Sequence, residues 1–205
     1  MTRSPPAVSV TVGQGMGGMD QDLVVRVQHG DQRAFEALAL ADHPRLYRVA
    51  NGILRDHQSA EDATQQALLD IWRDIRGLRE PSKYEGWSYR LLVHACGREA
   101  KRRPDWLPED AIPSERQPHS VDEYDTLLDR DQLERGFQHL SVDHRAVVVL
   151  RYLVGLTPEQ VGDVLGIPRR TVYSRLKRAM PVMRAALEAD ARGTMPRRAK
   201  EEALQ

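Results

Sequence analysis

An all-α protein is expected here, built as two small helical domains on either side of an extended acidic joint, and three observations carry that expectation. Apolar residues recur at intervals of three and four along most of the chain, which is the helical period, and neither alternating runs nor hairpin dipeptides mark a strand. Residues 104–125, PDWLPEDAIPSERQPHSVDEYD, hold four prolines and seven acids against the single Arg116. Prolines deny that stretch a regular helix and its like charges keep it extended. Residues 156–180, LTPEQVGDVLGIPRRTVYSRLKRAM, read as two short helices joined by a tight turn. The chain thus divides into an N-terminal extension (1–21), a first helical domain (22–103), the joint (104–125), a second helical domain (126–190) and a tail (191–205).

The extension, MTRSPPAVSVTVGQGMGGMD, lacks an apolar core of signal-peptide length, and its Gly, Pro and Ser content reads as disorder. Met1, Met16 and Met19 all serve as candidate starts. In the first domain, Leu23 to Gln28 forms a short amphipathic turn closed by Gly30, and Asp31 caps a helix carrying Phe35 and Leu38. A further helix runs through Leu46, Val49, Ala50 and Ile53. Ser59 is expected to cap AEDATQQALLDIWRDIR, with Glu61 and Asp62 in the first turn where the helix dipole favours them. Its apolar stripe is Ala60, Ala63, Ala67, Leu68, Ile71, Trp72 and Ile75, which leaves Asp62, Gln65, Gln66, Asp70 and Arg73 exposed. An ordinary solvated face and a protein-binding surface both fit that set.

After the loop GLREPSKYEG comes WSYRLLVHACGREAKRR, where Leu91, Leu92, Ala95 and Cys96 pack inward. Arg90, His94, Arg98, Lys101, Arg102 and Arg103 form a cationic patch, with Tyr84, Trp87 and Tyr89 clustered at its start. Aromatic rings stack on unpaired bases while cations follow phosphates, at ~1–3 kcal/mol per stack. Trp87 and Tyr89 also fit as core residues.

In the second domain Thr157 caps the amide of Gln160, and Pro158 sits at the first helical position, where its missing N–H costs nothing. Val161, Val164 and Leu165 follow at helical spacing, Gly166 suits a left-handed C-terminal cap, and Pro168 opens the next helix. There Val172, Leu176 and Ala179 point inward, and Arg170, Ser174 and Lys177 lie opposite with Tyr173 and Arg178 beside them. That outer face is cationic and free of carboxylates. A solvated face is the plain alternative; the sharper reading is a helix-turn-helix whose second helix enters the major groove, where Arg and Lys donate to guanine O6 and N7 or to phosphates.

Composition narrows the classes. With 205 residues, 40% apolar and 29% charged, the chain suits one or two soluble domains, and its longest aliphatic run, Ala146 to Leu150, is far short of a membrane span. A cytoplasmic protein is expected. The single Cys96 rules out an internal disulfide and fits a small packed residue, and the seven histidines show no metal-ligand spacing. No phosphate loop or nucleophile elbow is present, so neither an enzyme nor a cofactor is expected. A formal net charge of zero does not argue against nucleic acid, because clustering of cations is what matters.

Three segments together carry a family resemblance: DLVVRVQHGDQRAFEALALADHPRLYRVANGILRDHQSAEDATQQALLDIW, GWSYRLLVHACGREAKRR and LSVDHRAVVVLRYLVGLTPEQVGDVLGIPRRTVYSRLKRA. In this order they resemble regions 2 and 4 of bacterial RNA polymerase sigma factors of the extracytoplasmic-function (ECF) group. The resemblance implies that the second helix of the helix-turn-helix reads the minus-thirty-five promoter element, with Arg169, Arg170, Thr171, Tyr173, Ser174, Arg175, Lys177 and Arg178 as its DNA-facing residues. It implies that Lys83, Tyr84, Trp87, Arg90, His94, Arg98, Lys101 and Arg102 serve the minus-ten element, the loop Gly77 to Gly86 helping to hold an unpaired base. Asp62, Gln65, Gln66, Asp70 and Arg73 would engage the β′ clamp helices of core polymerase, the second domain would meet the β flap, and the acidic joint would thread the RNA exit path. An anti-sigma partner is implied as well. The chain differs from the family pattern at His94, where Asn is common, at Gln66, where Glu is common, and at Pro181, which is expected to kink or end the last helix. Two rivals remain: a helix-turn-helix regulator that binds DNA without polymerase, and a pure interaction module.

Overall fold

The computed structural model describes residues 21–102, 136–137 and 140–193. The expectations for the acidic joint, for Arg103 and for nearly all of the N-terminal extension and the tail lie outside those residues. Among the described residues every regular element is helical: α1 (Gln21–Gln28), α2 (Gln32–Leu54), α3 (His57–Asp74), two 3-10 turns (Ile75–Gly77 and Pro81–Lys83), α4 (Tyr84–Arg102), α5 (Val142–Val148) continued by a π-helical segment (Val149–Leu153), α6 (Pro158–Leu165) and α7 (Arg169–Gly193).

The first domain is a bundle in which α3 packs against both α2 and α4, and α1 closes one end. Its core is aliphatic and alanine-rich: Leu38, Leu46, Val49, Ala50 and Ile53 of α2 meet Ala60, Ala63, Ala67 and Ile71 of α3 and Leu92, Ala95 and Cys96 of α4. Small residues along α3 let the neighbouring backbones approach closely. Asp31 accepts from the Ala34 amide at 3.0 Å, so α2 begins as the sequence indicates.

Four expectations are corrected. The two helices expected between Phe35 and Ile53 are one, α2, running straight through Pro44. Pro44 is exposed, as is Leu40, whose carbonyl loses its donor, so water can replace the missing hydrogen bond. Ser59 is not the cap of α3; Asp56 is, its carboxylate accepting from the Ser59 amide at 2.7 Å, which moves Glu61 and Asp62 out of the first turn. The loop expected from Gly77 to Gly86 is mostly ordered turn, and α4 starts at Tyr84. Pro181 neither ends nor interrupts α7, for the same reason as Pro44: it is exposed, beside the exposed Lys177.

In the second domain α5 and α6 pack on α7. The Thr157 capping box and the left-handed Gly166, φ 67°, form as the sequence indicates. Gly162 has a role that periodicity alone does not reveal. A Cβ there would sit 2.8 Å from the Ile167 carbonyl oxygen, so only glycine lets the turn fold back over α6.

Candidate functional site

Helix α7 is set by burial. Val172 and Ala179 are fully enclosed and Leu176 and Met183 nearly so, which fixes the helix's rotation and turns Arg170, Tyr173, Ser174, Lys177 and Arg178 to solvent. Among the described residues no carboxylate pairs with Arg170, Lys177 or Arg178, so their charge is available to a ligand. The other two arginines are engaged. Arg169 pairs with Glu159 at 2.7 Å and lies over the Tyr173 ring, donating to its hydroxyl at 3.0 Å. Arg175, expected on a DNA-facing flank, bonds Asp143 of α5 at 2.7 Å and is largely covered. Thr171 is half-buried, its amide bonded to the Pro168 carbonyl at 2.8 Å.

On α3 the expected polar face needs one correction. Asp62, Gln65, Gln66 and Arg73 are exposed, whereas Asp70 is buried. Its carboxylate bridges two helices, accepting from Arg98 of α4 at 2.7 Å and from Gln66 at 3.1 Å and pairing with Arg73 at 3.1 Å. Trp72, expected in the core, is 39% exposed and packs on Phe35 with ring centroids 4.7 Å apart, and Leu69 is 61% exposed between them and the glutamines. The face is therefore more apolar than its amide content suggests. An exposed Leu and Trp beside Gln65, Gln66 and Arg73 suit a protein partner better than bulk water.

Helix α4 presents Trp87 half-buried and His94, Arg98, Lys101 and Arg102 exposed. His94 lies between Arg90 and Arg98; partial burial and then those two cations hold its pKa below the ordinary histidine value. Lys83 is held by Glu80 at 2.6 Å. Cys96 is fully buried, and burial pushes its thiol up to about 12, so it is an inert core residue.

Tyr84 is not a surface residue: it is 1% exposed, and its hydroxyl donates to Asp42 Oδ2 at 2.6 Å. Tyr89 is buried as well, with the Arg45 guanidinium 4.6 Å above its ring. Around them lies a polar network that the motif reading missed. Asp42, fully buried, also accepts from Arg45 at 2.9 Å, and Arg45 donates onward to Ser88 Oγ at 2.9 Å. Burial raises the Tyr84 phenol well beyond its ordinary range, with Asp42 adding to the shift, and Asp42 holds Arg45 firmly protonated against its own burial. The sequence did carry a signal, because Asp42 occupies the core register of α2 between Leu38 and Leu46, where an acid needs partners.

The two domains touch. Arg90 Nη2 donates to the Asp163 carbonyl of α6 at 2.7 Å, and Val149 lies over Gly52 of α2. Between them is a cavity of about 170 Å³ lined by Ile53, Val93, Cys96, Val142, Ala146 and Leu165 among others.

Both domains match known family models. Residues 38–104 match the family model for sigma-70 region 2, and residues 130–180 match that for sigma-70 region 4. The chain is 30% identical over 181 residues to the RNA polymerase sigma-H factor of Pseudomonas aeruginosa, covering 82% of this chain and 94% of that one. It is also 30% identical over 182 residues to the ECF RNA polymerase sigma factor SigM of Mycobacterium tuberculosis, covering 85% and 90%. In fold it is similar to CnrH in complex with the cytosolic domain of CnrY, with a TM-score of 0.61 at 21% identity over 83% of this chain and 98% of that one. A second likeness is to the sigma factor RpoE bound to the anti-sigma factor NepR from Bartonella quintana, TM-score 0.55 at 23% identity over 76% and 98%. With both regions in the family's order and relatives matched over nearly their whole length, this chain belongs to the sigma-70 family of RNA polymerase sigma factors, in its ECF group.

Proposed function

We propose that the chain directs promoter-specific initiation by dividing the work among the three surfaces described above. The exposed face of α3, with Asp62, Gln65, Gln66, Leu69 and Arg73, docks on the β′ clamp helices of core polymerase. The outer face of α4, with Trp87, Arg90, His94, Arg98, Lys101 and Arg102, together with Lys83 on the preceding turn, handles the minus-ten element, where rings and cations suit an opened strand. Helix α7 reads the minus-thirty-five element through Arg170, Ser174 and Lys177, while Arg178, Arg169 and Tyr173 flank the groove.

One observation supports the reading most: the buried Val172, Leu176 and Ala179 leave a carboxylate-free cationic face on the second helix of a capped helix-turn-helix. An anti-sigma partner fits as well, because two domains meeting at a seam offer a protein a way to cover both surfaces. Run-off transcription from a genomic fragment library, using core polymerase with and without this protein, tests the reading. Discrete new start sites appear only with the protein present. Tight, sequence-specific duplex binding by the free chain, with no effect on transcription, would favour a polymerase-independent regulator instead.

A further inference from the structure

The buried network at the junction of α2 and α4 does more than hold the bundle together. Asp42 and Arg45, one helical turn apart on α2, grip the first two turns of α4 at Tyr84 and Ser88 through bonds of 2.6 Å and 2.9 Å. Arg45 also stacks over Tyr89, and Ser88 Oγ donates to the Glu85 carbonyl at 2.9 Å. All four contact points lie where α4 begins, directly after the short turn Pro81–Lys83. Farther along, the same helices contribute Leu46, Val49, Leu92 and Ala95 to the apolar core.

Apolar contacts of that kind tolerate a slide or a small rotation of one helix on another. Directional bonds to buried polar groups do not, since rotating α4 by one residue would take Tyr84 and Ser88 away from Asp42 and Arg45, which would keep each other as partners but lose every bond to α4. An aliphatic replacement would fill the same space at equal or greater stability, so stability alone does not account for a buried ion pair here. What the network supplies is a fixed rotation for the first turns of α4, and with it the placing of the half-buried Trp87 and Arg90 and of the exposed His94.

We infer that Asp42, acting with Arg45 and Tyr84, is a positioning residue for capture of the minus-ten strand: it sets the angle at which Trp87, Arg90 and His94 meet the DNA without touching DNA itself. The inference rests on the functional reading above and adds a residue group to it. A consequence is that the network matters for the opened minus-ten strand and not for the minus-thirty-five element or for docking through α3.

The test uses full-length protein assembled with core polymerase. Three variants are compared with the unaltered chain: Tyr84→Phe, Asp42→Asn, and the apolar triple Asp42→Leu/Arg45→Met/Tyr84→Phe, which keeps the core filled. For each, three quantities are measured: affinity for core, affinity for duplex bearing only the minus-thirty-five element, and affinity for a fork-junction DNA with an unpaired non-template minus-ten strand. The expected result is a loss of about tenfold at the fork for Asp42→Asn and for the triple, a smaller loss for Tyr84→Phe, and less than twofold change in the other two affinities. The triple is decisive, because it is expected to melt no lower than the unaltered chain. If it binds the fork as tightly as the unaltered chain, or if all three affinities fall together, the positioning role is overturned. Failure of the unaltered holoenzyme to prefer the fork would count against the sigma-type reading of α4 instead. In that event amide exchange decides the network's role: faster exchange over Tyr84–Arg90 in the triple supports it, and unchanged exchange overturns it.

Discussion

Arg169, Arg170, Arg175 and Arg178 of α7 have different neighbours, and the roles proposed for them differ accordingly. Arg170 is exposed among residues with no carboxylate partner, opposite the buried stripe, and its fork of donors matches guanine O6 and N7. Replacing it with Ala is expected to weaken binding by about 1–3 kcal/mol and to relax preference at one minus-thirty-five position. Arg178→Ala, by contrast, is expected to weaken all promoters alike and to lower the salt dependence by about one phosphate contact. Transcription over a randomised minus-thirty-five library at two salt concentrations distinguishes them, and identical sequence profiles for Arg170→Ala and the unaltered chain would remove Arg170 from base reading. His94 gives a prediction in pH. Its folded-state pKa lies below the unfolded value of about 6.5, so the unfolded chain takes up the proton first. Stability is therefore complete above about pH 6.5 and declines as pH falls toward the lower folded value. Between pH 7.5 and 5.5 the melting temperature of the unaltered chain should drop further than that of His94→Asn. Parallel curves, or an imidazole titrating above 6.5 by NMR, would contradict this.

At the scale of the helix, α3 separates a structural charge from the exposed residues proposed for docking. Asp70 is buried beneath Gln66 and ties α3 to α4 through Arg98, so Asp70→Ala should destabilise the bundle by about 1–3 kcal/mol, the cost of leaving charged partners unpaired. Leu69→Asp with Gln65→Lys should leave the melting temperature nearly unchanged while weakening core binding at least tenfold in competition; unchanged competition would exclude that face. The contrast also shows what the sequence can reveal. Periodicity finds which stripe of α7 is buried, because Val172, Leu176 and Ala179 are the aliphatic residues, at helical spacing, of its otherwise polar first three turns. It misassigns Asp70 and Trp72 because the period places both near the edge of the stripe, and only the arrival of α4 decides which is covered. Tyr84 fails differently: its composition suits DNA, but its partner Asp42 lies 42 residues away, a distance no local pattern spans. Pro181 is overread as a helix breaker, since the rule assumes that the freed carbonyl has no water to meet, and Pro181, like Pro44 inside α2, is exposed.

The whole molecule ties α4, the helix proposed for the minus-ten element, to the second domain. Arg90 of α4 is bonded to α6, the helix that precedes α7, whereas elements about 25 base pairs apart lie ~85 Å apart along the duplex axis at 3.4 Å per pair. The intervening joint of 22 residues reaches ~75 Å fully extended, enough for the domains to part and span most of that distance. Energy transfer between dyes at Ala37→Cys and Arg184→Cys should accordingly fall when core polymerase is added, and constant transfer would mean that the seam persists in the complex. The central claim is that one chain, on polymerase, reads two promoter elements with two separate helices. Its most direct test is start-site sequencing of transcripts made by reconstituted holoenzyme from templates randomised upstream, with the unaltered chain, Arg170→Ala and His94→Asn in parallel. The account predicts two enriched elements at a fixed spacing, the upstream one altered only by Arg170→Ala and the downstream one only by His94→Asn. A single enriched element, or both elements altered by either substitution, would contradict it.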